Sequence, residues 1–112
     1  MILHIYLSNL GRDLIYEYIN SLPEAEKIDG YTVLQHMEKG EFDKILFKRW
    51  EKKVYEVYFQ KNNRVFYITV DKENIYLLHS CRKQKNKTEK KDANIVRKRA
   101  KELGNMLGRK FI

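Results

Sequence analysis

The sequence predicts a single α+β domain over residues 1–112, with one short strand, two helices, a run of antiparallel strands and a C-terminal helix. Three observations predict this fold class. The length of 112 residues fits one compact core. Apolar residues recur at helical spacing in two separate stretches, residues 14–37 and 88–107. The stretch between Gly40 and Cys81 is instead rich in aromatic and β-branched residues, with short polar breaks.

The N-terminal part predicts a strand and two helices. Residues 2–7 (ILHIYL) form a short apolar run that is typical of a strand. The next apolar residues share one helical stripe, which predicts a first helix ending near Asn20 or Ser21. Ser21 and Glu24 then predict reciprocal capping of a second helix that runs toward Gly40. The apolar residues expected on this second helix are Ile28, Tyr31, Leu34 and Met37.

The middle segment predicts two successive β-hairpins. With a two-residue turn at residues 62–63, the expected cross-strand pairs are Phe59–Phe66, Tyr58–Tyr67, Val57–Ile68 and Tyr55–Val70. With a second turn at residues 71–74, the expected pairs are Val70–Ile75, Ile68–Leu77, Phe66–His79 and Arg64–Cys81. This register makes one face of the sheet apolar. The other face, which helices need not cover, is expected to hold Glu56, Tyr58, Gln60, Val65, Tyr67, Thr69, Tyr76, Leu78 and Ser80.

The C-terminal part predicts an amphipathic helix with a basic outer face. Its apolar residues recur at spacings of three and four from Thr88 onward, and they are Ala93, Val96, Ala100, Leu103 and Leu107. The cations interleaved with them are Arg97, Lys98, Arg99 and Lys101.

The charge of the chain predicts a polyanionic partner. The net charge is +8, from 23 Lys and Arg against 15 Asp and Glu. Residues 1–45 hold four cations against eight anions, a net of −4, so residues 46–112 hold 19 against seven, a net of +12. A basic half next to an acidic half favours nucleic acid as the partner.

The composition argues against several other classes. Cys81 is the single cysteine, which excludes an internal disulfide, and with three histidines a thiolate-rich zinc site is not expected. We therefore predict no metal and no cofactor. No apolar run approaches the roughly 18 residues of a membrane span, and residues 1–10 lack the features of a secretory signal. We expect no membrane partner and a cytoplasmic location.

The densest group of cations lies in residues 82–91 (RKQKNKTEKK). In the predicted register Arg64 lies beside Cys81, so the start of this segment is expected within side-chain reach of a further cation. Lys48 and Arg49 precede the hairpins and are further candidates. Crowded like charges repel, and a fold tolerates them most easily where they bind a polyanion. The alternative is a loop that lysines keep soluble.

Several aromatic and titratable side chains near this segment are candidates for function, and most also have a purely structural interpretation. Tyr58 and Tyr67 are expected opposite each other, either as a platform for RNA bases or as a pair that stabilises the sheet. His79 is either a core residue or a neutral general base at the rim, since nearby cations lower a histidine pKa. Cys81 is a weaker candidate nucleophile, because cations favour its thiolate but the sequence shows no paired base.

The order of motifs resembles the phage-derived, HigB-like branch of the RelE/ParE toxin superfamily. Four segments carry the resemblance, and a basic helix follows them: GRDLIYEYINSLPEAEKI, KVYEVYF, NRVFYI and IYLLHSCRKQKNKT. In that branch a G-x-x-x-x-x-E-x-I-x-x-L-P start, a Y/W-E-L-R strand, a Y-R-V-F-Y strand and an L-L-H-G-F-x-K-K-x-x-K-T-P segment succeed one another. The resemblance spans nearly the whole chain.

The resemblance implies a RelE-like fold and a type II toxin. In such a fold a small antiparallel β-sheet packs on an N-terminal helical hairpin. The implied activity is that of a metal-independent endoribonuclease (an mRNA interferase) that cleaves mRNA on the ribosome and is neutralised by a HigA-like antitoxin. The antitoxin is expected to cover the basic surface with an acidic or amphipathic segment. The expected catalytic residues are Arg64, Lys83, His79 and Tyr67, and the expected RNA-binding residues are Lys48, Arg49, Tyr58, Arg82, Lys85 and Lys87.

Three positions depart from the pattern of the branch. Tyr58 stands in place of the arginine of E-L-R, Ser80 and Cys81 replace G-F, and Glu89 replaces the proline. Two rival functions stay open. Some members of the superfamily bind a topoisomerase, and the cationic C-terminal segment would also suit a protein target. A non-catalytic RNA-binding module would use the same lysines and tyrosines for affinity alone.

Overall fold

The computed structural model describes residues 1–8, 10–83 and 88–112, which contain five strands and three α-helices. In chain order the elements are β1 (Ile2–Ile5), α1 (Leu14–Asn20), α2 (Glu24–Glu38), a 3-10 helix (Phe42–Lys44), β2 (Leu46–Glu51), β3 (Val54–Phe59), β4 (Asn63–Thr69), β5 (Asn74–Arg82) and α3 (Lys90–Leu107). The α+β class is confirmed. No helix in the described ranges combines the length and the hydropathy needed to cross a bilayer.

The sheet is mixed, whereas the sequence predicts an antiparallel one. Its strand order is β1-β5-β4-β3-β2, with β2 and β1 at the edges. The strands β2 to β5 are antiparallel neighbours, as predicted, but β1 pairs in parallel with β5. Parallel pairing is possible because a long connection, which begins with α1 and α2, and not a hairpin joins these two strands. The helical pair thus follows a strand.

Both faces of the sheet are covered, and each has its own apolar core. On the first face, here called the hairpin face, α1 and α2 pack on residues that include Val57, Phe59, Val65 and Tyr67. On the second face, the α3 face, Val96, Ala100 and Leu103 of α3 pack on Val54, Phe66, Ile68 and Leu78. The expectation that one face is apolar and the other polar and aromatic is therefore wrong, and α3 covers the face that helices need not have covered.

The register of β3 on β4 differs from the predicted one by three residues. Phe59 pairs with Asn63 across a turn at residues 60–62, in which Lys61 and Asn62 have positive φ. A shift by an odd number of residues moves side chains to the other face. The side chain of Asn63 donates to Glu26 Oε1 at 2.9 Å and accepts from the Tyr18 hydroxyl, so hydrogen bonds to the helices hold it inside the protein.

The register of β4 on β5 is correct for its first half. Arg64 pairs with Cys81 and Phe66 with His79, as predicted. An irregularity after Phe66 then shifts the pairing by one residue, so Tyr67 faces Leu77. The predicted pairs Ile68–Leu77 and Val70–Ile75 are consequently wrong, because the sequence shows no signal for a β-bulge at this point.

The helices follow the predicted bounds closely, with two differences in detail. Ser21 does not cap α2, because its hydroxyl donates to the Tyr18 carbonyl at 2.6 Å instead. Ile28 is 57% exposed and not part of the core. Gly30 faces the core in its place, and a Cβ there would lie 3.0 Å from the ring of Phe59. The apolar stripe of α3 is confirmed through Ala93, Val96, Ala100 and Leu103.

Candidate functional site

Five side chains meet on the α3 face, at the end of the sheet where β4 begins and β5 ends. Lys48 of β2 pairs with Glu56 of β3, and Tyr58 of β3 pairs with Arg64 of β4. Lys83 follows β5, and its backbone N–H donates to the Asn62 carbonyl at 2.8 Å. This group is called the Arg64 cluster below, and its members are Lys48, Glu56, Tyr58, Arg64 and Lys83.

Glu56 lies at the centre of the Arg64 cluster. Its side chain is fully buried, and one of its oxygens, Oε1, lies 3.1 Å from Arg64 Nε and 3.5 Å from Lys83 Nζ. Both cations are themselves largely buried, with 14% and 6% of the side chain exposed. A buried charge is tolerated only when it is paired. Two cations around one carboxylate leave a net charge of +1, which suits a single anionic ligand.

The guanidinium of Arg64 lies over the aromatic ring of Tyr58. The Arg64 Cζ atom lies 4.3 Å from the centroid of the Tyr58 ring, and Lys48 Nζ lies 5.9 Å from it. A cation over an aromatic face is attracted by the ring quadrupole. The predicted pairing of Tyr58 with Tyr67 is wrong, because the two rings lie on opposite faces of the sheet. Tyr58 therefore positions a cation, and one face of its ring is not free for a base.

His79 of β5 pairs with Phe66, two residues along β4 from Arg64, and contacts α3. Its Nε2 lies 2.8 Å from Asp92 Oδ1, and its Nδ1 lies 3.4 Å from Arg99 Nη1. This pattern fits a neutral ring that donates through Nε2 and accepts through Nδ1. Burial lowers the pKa of His79, and Arg99 and Lys91 lower it further, against the opposing effect of Asp92. The neutral state expected of a general base is thus favoured, although both ring nitrogens have partners.

The same region contains one group of possible metal ligands. His79, Cys81 and Asp92 offer ligand atoms that all lie within 4.8 Å of one another. A histidine that binds a metal through Nε2 carries a proton on Nδ1 and donates it to an acceptor. Here Nδ1 faces the Arg99 guanidinium, which is itself a donor. Burial also raises the pKa of Cys81 to about 12, so its thiolate is disfavoured, contrary to the expected effect of the cations. The group fits a metal poorly.

Three of the predicted site residues lie away from the Arg64 cluster. Tyr67 is 2% exposed and packs in the core of the hairpin face. Burial raises its pKa, which opposes proton release. Arg49 lies 5.9 Å from the ring of Tyr55, also on the hairpin face. Arg82 donates to Glu26 Oε1 at 2.6 Å. Lys85 and Lys87 lie outside the described residues.

Comparison with known proteins adds one finding to this geometry. A family model described as Phage derived protein Gp49-like (DUF891) matches residues 17–101, about three quarters of the chain. The chain belongs to this Gp49-like family. The family is associated with toxin–antitoxin systems. A search of curated proteins found no match.

The region matched by the Gp49-like model includes three site residues that the sequence analysis missed. Glu56 holds Arg64 and Lys83, whereas Asp92 and Arg99 hold His79. One signal for Glu56 is visible in the sequence, since it is the single charged residue of the otherwise apolar strand VYEVYF. A charge at a buried strand position needs a partner, which makes it a candidate site residue. The roles of Asp92 and Arg99 depend on how α3 docks and have no such signal.

Proposed function

We propose that this Gp49-like chain is the toxin of a type II toxin–antitoxin system and cleaves mRNA on the ribosome without a metal. The association of the family with such systems supports the first part. One observation carries the second part: Arg64 and Lys83 converge within 3.5 Å of one buried carboxylate oxygen on the α3 face. The basic half of the chain supports an RNA partner.

The proposed reaction is attack of a ribose 2′-hydroxyl on the adjacent phosphodiester. The 2′-hydroxyl loses its proton as its oxygen bonds to phosphorus. The bond from phosphorus to the 5′ oxygen breaks and that oxygen takes up a proton, so a cyclic phosphate and a free 5′-hydroxyl result. Negative charge grows on the nonbridging oxygens as the new bond forms. Arg64 and Lys83 would stabilise this charge, and cations fixed in a partly dry site do so more effectively than mobile ones.

Glu56 would orient the phosphate-binding groups. It contacts Arg64 through Nε, so the terminal nitrogens of the guanidinium are left for a ligand. Nη1 makes only a long contact of 3.4 Å with the Asn63 carbonyl. A guanidinium held on one side by a carboxylate and on another by an aromatic ring loses little freedom when it binds a phosphate. Lys48 would bind a flanking phosphate.

His79 is the candidate proton carrier of this proposal. In its neutral state Nδ1 has a lone pair, which faces Arg99 in the free protein. If a substrate phosphate draws Arg99 away, Nδ1 would accept the 2′-hydroxyl proton, with Asp92 holding the ring through Nε2. Tyr67 is not part of the proposal, because it is buried on the other face.

Mapping of cleavage products in a translation extract tests the proposal. The wild-type chain should cut a reporter mRNA and leave a cyclic phosphate and a 5′-hydroxyl at the cut. Arg64→Ala should lower the rate by about 10² to 10³, the usual effect of removing one group that stabilises a transition state. Arg12→Ala is the matched control, since Arg12 is an exposed arginine whose partner is Glu17 of α1.

Three results would contradict the proposal. Cleavage by Arg64→Ala at the wild-type rate would remove Arg64 from the site, provided that circular dichroism shows the same fold. Protection of RNA without any change in its length would identify a binding module. Inhibition of topoisomerase in a DNA-supercoiling assay, with no RNA cleavage, would identify a ParE-like toxin.

A further inference from the structure

A pocket lies on the hairpin face, on the opposite side of the sheet from the Arg64 cluster. It has a volume of about 440 Å³ and is here called the aromatic pocket. This volume lies in the usual range of binding pockets, about 300 to 1,000 Å³. The proposed reaction makes no use of it.

Four aromatic rings form the walls of the aromatic pocket, and they are Phe42, Phe47, Tyr55 and Tyr67. The rings contact one another edge-on or tilted, with centroid separations from 5.7 Å for Phe42 and Phe47 to 6.3 Å for Phe47 and Tyr55. A nucleobase binds by stacking on an open ring face. Here the rings pack against one another edge-on or tilted and line an open pocket, which suits an apolar side chain better than a base.

Three cations surround the opening of the aromatic pocket. They are Arg49 of β2 and Lys52 and Lys53 in the turn between β2 and β3. The ion pairs within the described ranges involve other cations, such as Arg12, Arg82 and Arg97. Glu51, the nearest acidic residue in sequence, points to the α3 side and binds Arg97. An apolar cavity with a basic rim is complementary to an apolar side chain flanked by carboxylates.

We propose that the aromatic pocket docks a segment of the antitoxin in which acidic residues flank one apolar anchor side chain. The inference rests on the proposed toxin function, because that function is what implies an antitoxin. The anchor would fill the pocket and pack on the rings of Phe47 and Tyr55, and its flanking carboxylates would pair with Lys52 and Lys53. Because the pocket and the Arg64 cluster lie on opposite faces, this contact and RNA cleavage should be separable by mutation.

Binding measurements with the protein encoded beside this chain's gene test the inference. Two variants change the pocket by different means. The double variant Lys52→Glu and Lys53→Glu reverses the charge of the rim, and Thr69→Trp fills the cavity from an exposed wall position. Each should raise the Kd for that protein by about thirtyfold, the effect of removing one interface hot spot. Both variants should cleave RNA at the wild-type rate, and the antitoxin should no longer neutralise them.

The matched control is the double variant Lys98→Glu and Lys101→Glu on α3, which carries the same change of charge. It should bind the neighbour-encoded protein with wild-type affinity. Equal weakening by the control and the rim variant would overturn the inference, because it would show that only overall charge matters. A pocket variant that loses affinity for a ten-nucleotide RNA, while it keeps affinity for the protein, would also overturn it and would assign the pocket to RNA.

The remaining outcomes distinguish this inference from the proposed function. If the neighbour-encoded protein binds the wild type and every pocket variant equally, the docking inference is wrong and the toxin proposal stands. If it binds none of them, the proposed antitoxin partner is wrong, and the inference fails with it. Cleavage lost in Arg64→Ala but kept in Thr69→Trp would support the separation of the two faces.

Discussion

Glu56 shows how much one buried side chain contributes to the candidate site. It is fully buried, and Arg64 and Lys83 both lie within 3.5 Å of its Oε1 atom. Its second oxygen, Oε2, has no hydrogen-bond partner among residues 1–8, 10–83 and 88–112. A carboxylate with one spare oxygen between two cations both fixes those cations and keeps them from repelling each other.

We expect Glu56→Gln to lower the free energy of unfolding by about 3 to 5 kcal/mol, because it leaves two buried cations without an anion. Urea denaturation measures this change. Adding Lys83→Met should recover part of the loss, since one of the two cations is then gone. Glu24→Gln, at the exposed pair with Lys27, is the control and should change stability by less than about 1 kcal/mol. An equal loss of unfolding free energy in Glu56→Gln and Glu24→Gln would contradict the role of Glu56.

His79 should make stability depend on pH. Burial lowers its pKa below the ordinary value of 6.5, and Arg99 and Lys91 act in the same direction against Asp92. The unfolded chain then binds a proton more readily than the folded one, so stability falls as pH falls below about 6.5. His79→Gln should reduce the difference in melting temperature between about pH 7.5 and pH 5.5. Asn94→Gln, at an exposed position of α3 that does not titrate, is the control and should leave that difference unchanged.

At the scale of elements, the end of α3 is fixed by a close backbone contact. The helix ends at Leu107 and is capped by Gly108, which has a φ of 67°, and the Arg109 N–H donates to the Gly104 carbonyl at 2.9 Å. The chain then turns back so that Phe111 is buried beneath α3 with 2% exposure. A Cβ on Gly104 would collide with the Arg109 carbonyl oxygen. Phe111 is thus part of the core of the α3 face, and Ile112 packs against it.

Gly104→Ala should therefore destabilise the protein, although alanine favours a helix more than glycine does. We expect a loss of about 1 to 3 kcal/mol, because the backbone of Arg109 must move and Phe111 loses its packing. Thermal unfolding measures the change. Asn105→Ala, at the neighbouring exposed position, is the control and should be neutral or slightly stabilising. A stabilised Gly104→Ala variant would show that the C-terminal residues do not pack as described.

The strands show why a sequence predicts elements better than register. The residue pattern of β3 and β4 correctly indicates two strands joined by a short turn. Their register depends on which residues adopt positive φ, and Lys61 with Asn62 do so where the sequence favours Asn62 with Asn63. The hydrogen bond from Asn63 to Glu26 spans 37 residues and stabilises the observed pairing. The residues around Asn63 do not predict this long-range contact, and the register that it stabilises determines on which face Tyr67 lies.

At the scale of the whole molecule, some cations are paired with carboxylates within the fold, and others remain for a ligand. Arg82 and Arg97 have carboxylate partners in Glu26 and Glu51. Around the Arg64 cluster, Arg64 and Lys83 share one carboxylate, and Lys48 is exposed beside them. The net charge of +8 is therefore larger than the positive charge that any one ligand contacts. We expect RNA affinity to depend on a small number of cations.

The salt dependence of RNA binding measures that number. If Arg64, Lys83 and Lys48 each contact one phosphate, log Kobs should fall with log salt concentration at a slope of about −2, since single strands give about −0.7 per contact. Fluorescence anisotropy with an mRNA fragment that is 2′-deoxy at the cleavage position gives the slope. Lys48→Ala should bring it to about −1.4. Arg12→Ala should not change it, and an equal change in both variants would indicate diffuse binding.

The sequence by itself determined the class of the fold, the bounds of most helices and strands and the amphipathic stripe of α3, because these depend on local periodicity and propensity. It also placed Arg64 opposite Cys81, and hence near the basic segment, through a register that the first half of the β4–β5 pair keeps. The covering of both faces of the sheet was decided only in three dimensions. So were the partners of His79 and the separation of Arg49, Tyr67 and Arg82 from Arg64. The physical reason is that these features depend on contacts between residues far apart in sequence, such as Arg82 with Glu26 and Asp92 with His79.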